Sequence, residues 1–211
     1  MICLASKSPG RLSTLRAAGV DPLVRVSTVD EAVVLTALAS SRAQEGRPAP
    51  GPAEQVQELA LAKAGEVAAR TLPTEAEVVV GCDSMLEIDG RAVGKPRTPE
   101  RARECWLAMR GRSGVLHSGH ALVRTEDGER ALGVSSTVVR FGCPTLEEID
   151  AYIATGEPLW CAGAFTIDGL GGAFIEGVDG DPHGVVGLSL PLLRRLLAGL
   201  GVRWTALWAR D

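Results

Sequence analysis

Apolar positions along this chain come in short runs separated by glycine, proline and helix-capping residues, and their spacing changes from run to run. Residues 2–5 form an apolar run that predicts a strand, residues 11–18 a helix ended by Gly19, and residues 23–26 a second strand. Residues 54–70 have helical composition, closed by Pro73. Val56, Ala60, Lys63 and Val67 recur there at spacings of four, three and four, which places them on one face. The β-branched run at 77–80 reads as a buried strand, and Asp89-Gly90 between 85–88 and 91–93 is a hairpin signal.

Thr98-Pro99-Glu100 opens a helix, with Thr98 as N-cap and Pro99 at the first helical position, and Gly111 ends it. Residues 115–124 and 131–141 read as paired strands across Glu126-Asp127-Gly128. Thr145 and Glu148 make a capping box for a helix running to Thr155 and closed by Gly156. Glycine-rich short strands are expected from 163 to 178, then an amphipathic helix over 190–200. The stretch 40–53, rich in Pro, Gly, Ala and Ser, reads as an exposed loop. Strands and helices alternate but hairpins intervene, so the expected fold is α/β, a mixed sheet with flanking helices.

Composition narrows the function classes. With 45% hydrophobic and 23% charged residues, the 211-residue chain is globular rather than disordered. A net charge of −4 with interspersed signs disfavours a nucleic-acid-coating surface but permits a local cationic pocket. No apolar run approaches the ~20 residues that span a bilayer. The start lacks the basic segment of a signal peptide, so a cytoplasmic location is expected. Five scattered cysteines with no C-x-x-C pair read as buried thiols.

Several segments could carry chemistry. Ser6-Lys7-Ser8-Pro9-Gly10-Arg11 joins a strand to a helix, a turn whose free N–H groups suit an anion. Ser8 can cap or bind phosphate, and Arg11 can fork onto phosphate oxygens. Lys63 places an ammonium on the apolar face of its helix, where it either snorkels outward or reaches into a cleft. Asp83 in Gly81-Cys82-Asp83-Ser84 follows a buried strand, the place where open α/β sheets hold ligands. Lys95 in Gly94-Lys95-Pro96 adds a cation. Val29-Asp30-Glu31 supplies carboxylates near a strand end that suit a hard divalent ion. His117 and His120 lie three apart on a strand, face opposite ways and build no metal site, and His183 sits in a glycine-flanked loop.

The order of these segments resembles the Maf family of nucleotide pyrophosphatases over nearly the whole chain. Leu4-Ala5-Ser6-Lys7-Ser8-Pro9-Gly10-Arg11 is similar to that family's L-A-S-x-S-P-R-R start. Val29-Asp30-Glu31, Leu61-Ala62-Lys63-Ala64, Gly81-Cys82-Asp83-Ser84 and Gly94-Lys95-Pro96 resemble its next elements. Gly111-Arg112-Ser113, Glu157-Pro158, Ala162-Gly163-Ala164-Phe165 and Val186-Gly187-Leu188-Ser189-Leu190 resemble the later ones. Gly10 departs from the pattern, standing where the first of two arginines is usual, and the 40–53 stretch is longer than the family's loop.

The resemblance implies one domain over 1–211, two lobes around a central cleft, similar to Maf and inosine triphosphate pyrophosphatase folds. It also implies a homodimer. The implied reaction is hydrolysis of a nucleoside triphosphate to the monophosphate and pyrophosphate. In it Asp83 acts as general base or metal ligand, and Glu31 helps hold Mg²⁺ or Mn²⁺. Lys63, Lys95 and Arg11 neutralise the phosphates, while Ser8, Gly10, Ser84 and Asp168 meet substrate. Asp168 stands in Ile167-Asp168-Gly169 where subgroups of the family differ. A carboxylate only accepts hydrogen bonds, so it favours 7-methyl-GTP-like or cytosine nucleotides over dTTP and UTP. Rival readings are a nucleotide-binding regulator of septum formation or cell division, and a phosphatase releasing inorganic phosphate.

Overall fold

The computed structural model describes residues 1–208. Its chain order is β1 (Ile2–Leu4), α1 (Pro9–Ala17), β2 (Leu23–Val24), α2 (Glu31–Gln44) and α3 (Pro52–Ala68). There follow β3 (Val78–Ile88), β4 (Arg91–Val93), α4 (Pro99–Met109), β5 (Ser113–Arg124), β6 (Arg130–Phe141) and α5 (Leu146–Ala154). Last come β7 (Ile175–Asp179), α6 (Pro182–Val186) and α7 (Leu190–Gly199). The sheet is mixed, as expected, in the order β2-β1-β3-β5-β6-β7, with β4 pairing β3 off that path. Strands β1 and β2 run parallel, β1 and β3 run parallel, and the remaining pairings are antiparallel.

One sheet face carries α3. Gly81 and Gly119 let that helix lie directly on β3 and β5. A Cβ on either would stand 2.3 Å from an α3 carbonyl oxygen, that of Ala60 or Val56 respectively. Buried Ala60 and Ala64 keep the helix side of the contact equally thin. The other face carries two apolar clusters. One joins α1 and α7 to the sheet through Ile2, Leu4, Val80, Leu122, Leu193 and Leu197. The second is built around Trp106, whose ring meets Phe141, Tyr152 and Phe174 edge-on and whose indole N–H donates to the Ala164 carbonyl at 2.9 Å. Between them the sheet turns polar. On β3 the inward residues run Cys82, Ser84, Leu86, and on β5 they run Leu116, Ser118, His120, Leu122. Helix α6 lies over that seam.

Four sequence expectations change. The 40–53 stretch is not one loop: residues 40–44 finish α2 and 52–53 begin α3, leaving 45–51 between them. The strand expected to end near Val80 continues to Ile88, so Asp83 lies inside β3 rather than after it. Its glycine serves the helix contact above and does not end the strand. The glycine-rich region 163–178 forms 3-10 turns at Ala162–Ala164 and Leu170–Phe174, and only Ile175–Asp179 is a strand. His183 belongs to the short helix α6, with Asp181 as N-cap, instead of a loop. No helix among the described residues is long and apolar enough to cross a membrane.

Candidate active site

Strand β1 pairs with β3 only through Val80, and β4 begins pairing at Leu86, so residues 81–85 of β3 present a free edge. A cleft of about 820 Å³ opens there and collects nearly every residue singled out in the sequence. Its lining includes Ser8, Gly10, Arg11, Glu31, Lys63, Asp83, Ser84, Lys95 and Asp168.

The strand-to-helix turn forms as its residues dictate: Ser8 is the N-cap, its Oγ accepting from the Arg11 amide at 3.5 Å, with Pro9 in the first turn. Arg11 does not extend freely into the cleft. Its Nε donates to the Gly187 carbonyl at 2.9 Å, Nη1 to the Cys82 carbonyl at 2.8 Å and Ser6 Oγ at 3.1 Å, and Nη2 to Ser84 Oγ at 3.1 Å. Four of its five N–H groups are therefore engaged, all by neutral acceptors. Among the described residues the guanidinium has no ion pair, and one Nη2–H carries no bond.

On the α3 side, Lys63 resolves the choice left by the sequence, since its ammonium reaches inward. Nζ lies 2.6 Å from Asp83 Oδ1 and 2.6 Å from Glu31 Oε1. The Lys63 and Asp83 side chains are 14% and 13% exposed and Glu31 50%. Glu31 is the first residue of α2, and Asp30 caps that helix by accepting from the Ala32 and Val33 amides. Of the two acidic neighbours only Glu31 therefore serves the cleft. Burial alone would raise the Glu31 carboxyl, but Lys63, with Lys95 and Arg11 farther away, holds it below its ordinary value. Lys95 is exposed on the rim, with no hydrogen bond or ion pair among the described residues.

At the opposite corner, a Cβ on Gly10 would stand 3.5 Å from Asp168 Oδ2 and 3.0 Å from Val186 Cγ1. The missing side chain lets Val186 and the Asp168 carboxylate pack close against the backbone of Gly10. The loop bearing Asp168 is held by Glu157, which the sequence offered only as part of a resemblance. Its Oε1 accepts from Tyr152 Oη at 2.9 Å, Thr166 Oγ1 at 2.5 Å and the Gly171 amide at 3.1 Å, and its Oε2 from the Leu170 amide at 3.1 Å. Trp160, 67% exposed on the rim, was likewise missed, because a lone exposed aromatic gives no periodic signal.

The histidines stay outside the chemistry. His117 bonds Glu87 at 2.9 Å and Ser136 at 2.8 Å on the α3 face. His120 is buried on the other face, where its Nε2 accepts from the Ser189 amide at 2.9 Å, so the proton sits on Nδ1 and points at the Ser118 carbonyl. Burial pushes its imidazole down to about 4, which keeps it neutral. Of the cysteines, Cys3 and Cys82 are buried, Cys105 and Cys161 half-buried and Cys143 exposed, all as free thiols.

The described residues hold no group of three or more His, Cys, Asp or Glu side chains that could bind a metal by themselves. Glu31 and Asp83 nevertheless converge on one cationic point, now taken by Lys63. That donor set fits a hard ion such as Mg²⁺, which commonly binds one or two carboxylates plus substrate phosphates.

The Maf-like protein family model matches residues 1–200. The chain is 55% identical over 211 residues to a nucleoside triphosphate pyrophosphatase of Saccharopolyspora erythraea, covering 97% of this chain and 95% of that protein. It is 52% identical over 215 residues to one of Mycobacterium sp. (strain JLS), covering 99% and 98%. A Streptomyces coelicolor protein of the same name is 52% identical over 208 residues, covering 99% and 94%.

Proposed function

The chain belongs to the Maf family, and on that premise we propose that it is a hydrolase that cuts a nucleoside triphosphate between its α- and β-phosphates. The observation that carries the residue roles is the Glu31–Lys63–Asp83 contact in the same cleft as the Arg11 guanidinium, which has no ion pair among the described residues. Phosphoryl transfer asks a protein mainly for positioning and for charges placed where negative charge develops. Lys63, Lys95 and the free Nη2–H of Arg11 supply cations for the triphosphate and for the departing pyrophosphate. Ser8 offers a hydroxyl at the turn. The Asp83 carboxylate takes the proton of the attacking water, and Lys63, which donates to its Oδ1, holds it in orientation. Glu31 and Asp83 would hold a divalent ion, Mg²⁺ or Mn²⁺, which would supply further charge neutralisation to the phosphates. A pure nucleotide-binding regulator would have no use for a carboxylate held against an ammonium beside the phosphates. A homodimer and a cytoplasmic setting complete the proposal.

Base choice is assigned to the Gly10–Asp168 corner. The Asp168 carboxylate accepts hydrogen bonds only, which favours the N–H-rich edges of guanine and cytosine and the cationic ring of a 7-methylguanine. A kcat/KM panel over nucleotides, run for the native protein and Asp168→Gln, tests this. The native protein should prefer 7-methyl-GTP or CTP, and the variant should shift towards dTTP and UTP. A native preference for dTTP and UTP that the substitution leaves unmoved removes Asp168 from base reading.

A further inference from the structure

Ser118 is fully buried on β5, directly across from Ser84 of β3. Its Oγ lies 2.7 Å from the Gly184 carbonyl oxygen and 2.7 Å from Ser84 Oγ. A carbonyl oxygen has no proton to give, so the Ser118 hydroxyl proton occupies the bond to Gly184. The short Ser84–Ser118 contact must then be bridged by the proton of Ser84. Arg11 Nη2 donates to Ser84 Oγ at 3.1 Å and takes up one of its lone pairs. The chain of bonds therefore runs one way, Arg11 to Ser84 to Ser118 to Gly184. What Ser84 has left to turn towards the cleft is a lone pair.

We infer that Ser84 is an acceptor-only position that reads a hydrogen-bond donor of the nucleotide, a sugar hydroxyl or a base N–H. Ser118 is the positioning residue that fixes this polarity. The inference rests on the reading that a nucleoside triphosphate occupies the cleft. Phosphate oxygens at neutral pH are acceptors, and two acceptors facing each other without a proton repel, so Ser84 does not hold the triphosphate. Its placement agrees with that. Asp83 and Lys63 lie on the α3 face of the strand, and Ser84 faces the other way. A Cβ on Gly187 would stand 3.1 Å from both Arg11 Nε and Ser84 Oγ, and the preceding residue, Val186, borders the Gly10–Asp168 corner. Ser84 thus stands between the proposed phosphate cations and the proposed base corner, where the sugar passes.

Calorimetric binding of non-hydrolysed α,β-methylene nucleotides tests this without relying on turnover. The ligands are the full nucleotide, its 2′-deoxy and 3′-deoxy forms, a base analogue lacking its edge N–H groups, and inorganic tripolyphosphate. Ser84→Ala should weaken the nucleotide about three- to tenfold, the scale of one hydrogen bond, and leave tripolyphosphate unchanged. Arg11 keeps three other acceptors in that variant. Removing the recognised donor from the ligand should cost the native protein a similar factor and cost Ser84→Ala nothing further. Non-additivity on a sugar arm assigns the sugar hydroxyl, and on the base arm the base N–H. Ser118→Ala releases the Ser84 proton, so the penalty for the missing donor should shrink while Ser84 is still present, which a merely structural role for Ser118 would not produce. Tripolyphosphate weakened as much as the nucleotide by Ser84→Ala, or losses that add on every arm, overturns the inference. A native protein that binds none of these ligands overturns instead the reading on which it rests.

Discussion

Replacing Lys63 by methionine removes the ammonium that lies 2.6 Å from both Asp83 and Glu31 while keeping most of the side-chain volume. Breaking a fully buried ion pair by deleting one partner costs roughly 3–5 kcal/mol, because a charge is stranded away from water. Here Lys63 and Asp83 are 14% and 13% exposed and Glu31 is 50% exposed along an open cleft. Water reaches the stranded carboxylates, and the expected cost falls to about 2 kcal/mol. For a chain of this size that lowers the melting midpoint by about 4–8 °C. Asp83→Asn alone should cost less, since an amide oxygen still accepts from the ammonium. The double variant no longer strands a charge at position 83, so the two losses should fail to add by on the order of 1 kcal/mol. Thermal and urea melts of the four proteins in chelator measure this cycle. Adding Mn²⁺ should then raise the midpoint of Lys63→Met more than that of the native protein, because the ammonium no longer competes for the carboxylates. Additivity within about 0.3 kcal/mol, with equal Mn²⁺ responses, would refute the coupling of these three side chains and their use as a cation site.

Three further outcomes are expected. Asp83→Asn should still bind the non-hydrolysed nucleotide by calorimetry but lose about two or more decades of kcat, the scale of a lost general base; near-native turnover removes Asp83 from that role. Excess chelator should abolish turnover without changing the far-ultraviolet circular dichroism or the melting midpoint by more than a few degrees, and full activity in chelator contradicts the metal proposal. His120, buried and neutral with its imidazole at about 4, is held below its unfolded value of about 6.5. Its contribution is therefore fully present above pH ~6.5 and lost as pH falls towards 4, about 3 kcal/mol in all. Urea melts between pH 7 and 4.5 should show that slope in the native protein and lack it in His120→Gln; equal slopes would mean that the acid loss comes from other groups.

Much of the scaffold was readable because local chemistry and tertiary role agreed. Ser8-Pro9 and Gly19 bracket α1, Asp89-Gly90 turns β3 into β4, and Thr145 with Glu148 caps α5. Helix α2 escaped notice because it buries none of its residues, and Val33 is 64% exposed, so no apolar period marks it. The continuation of β3 was hidden by Gly81 and Asp83, turn-like in composition, although the glycine is needed by the backbone of α3. Which residues line the cleft could be named from residue types, their order and the family resemblance, whereas the bonds among them could not. Arg11 bonds partners 71, 73 and 176 residues away. The roles of Ser118 and Glu157 exist only once β5 and the 157–171 loop are folded against their neighbours.

In the proposed reaction water attacks the α-phosphorus beside Asp83 while the cations of the cleft carry away pyrophosphate. Hydrolysis of a nucleoside triphosphate by the purified protein in ¹⁸O-labelled water with Mg²⁺ or Mn²⁺, followed by phosphorus magnetic resonance, tests it directly. One labelled oxygen should appear in the monophosphate, with one equivalent of unlabelled pyrophosphate beside it, and both signals should vanish in Asp83→Asn. Label in pyrophosphate would move the attack to the β-phosphorus, and label in inorganic phosphate would make the protein a phosphatase. No product at all would leave it a nucleotide binder.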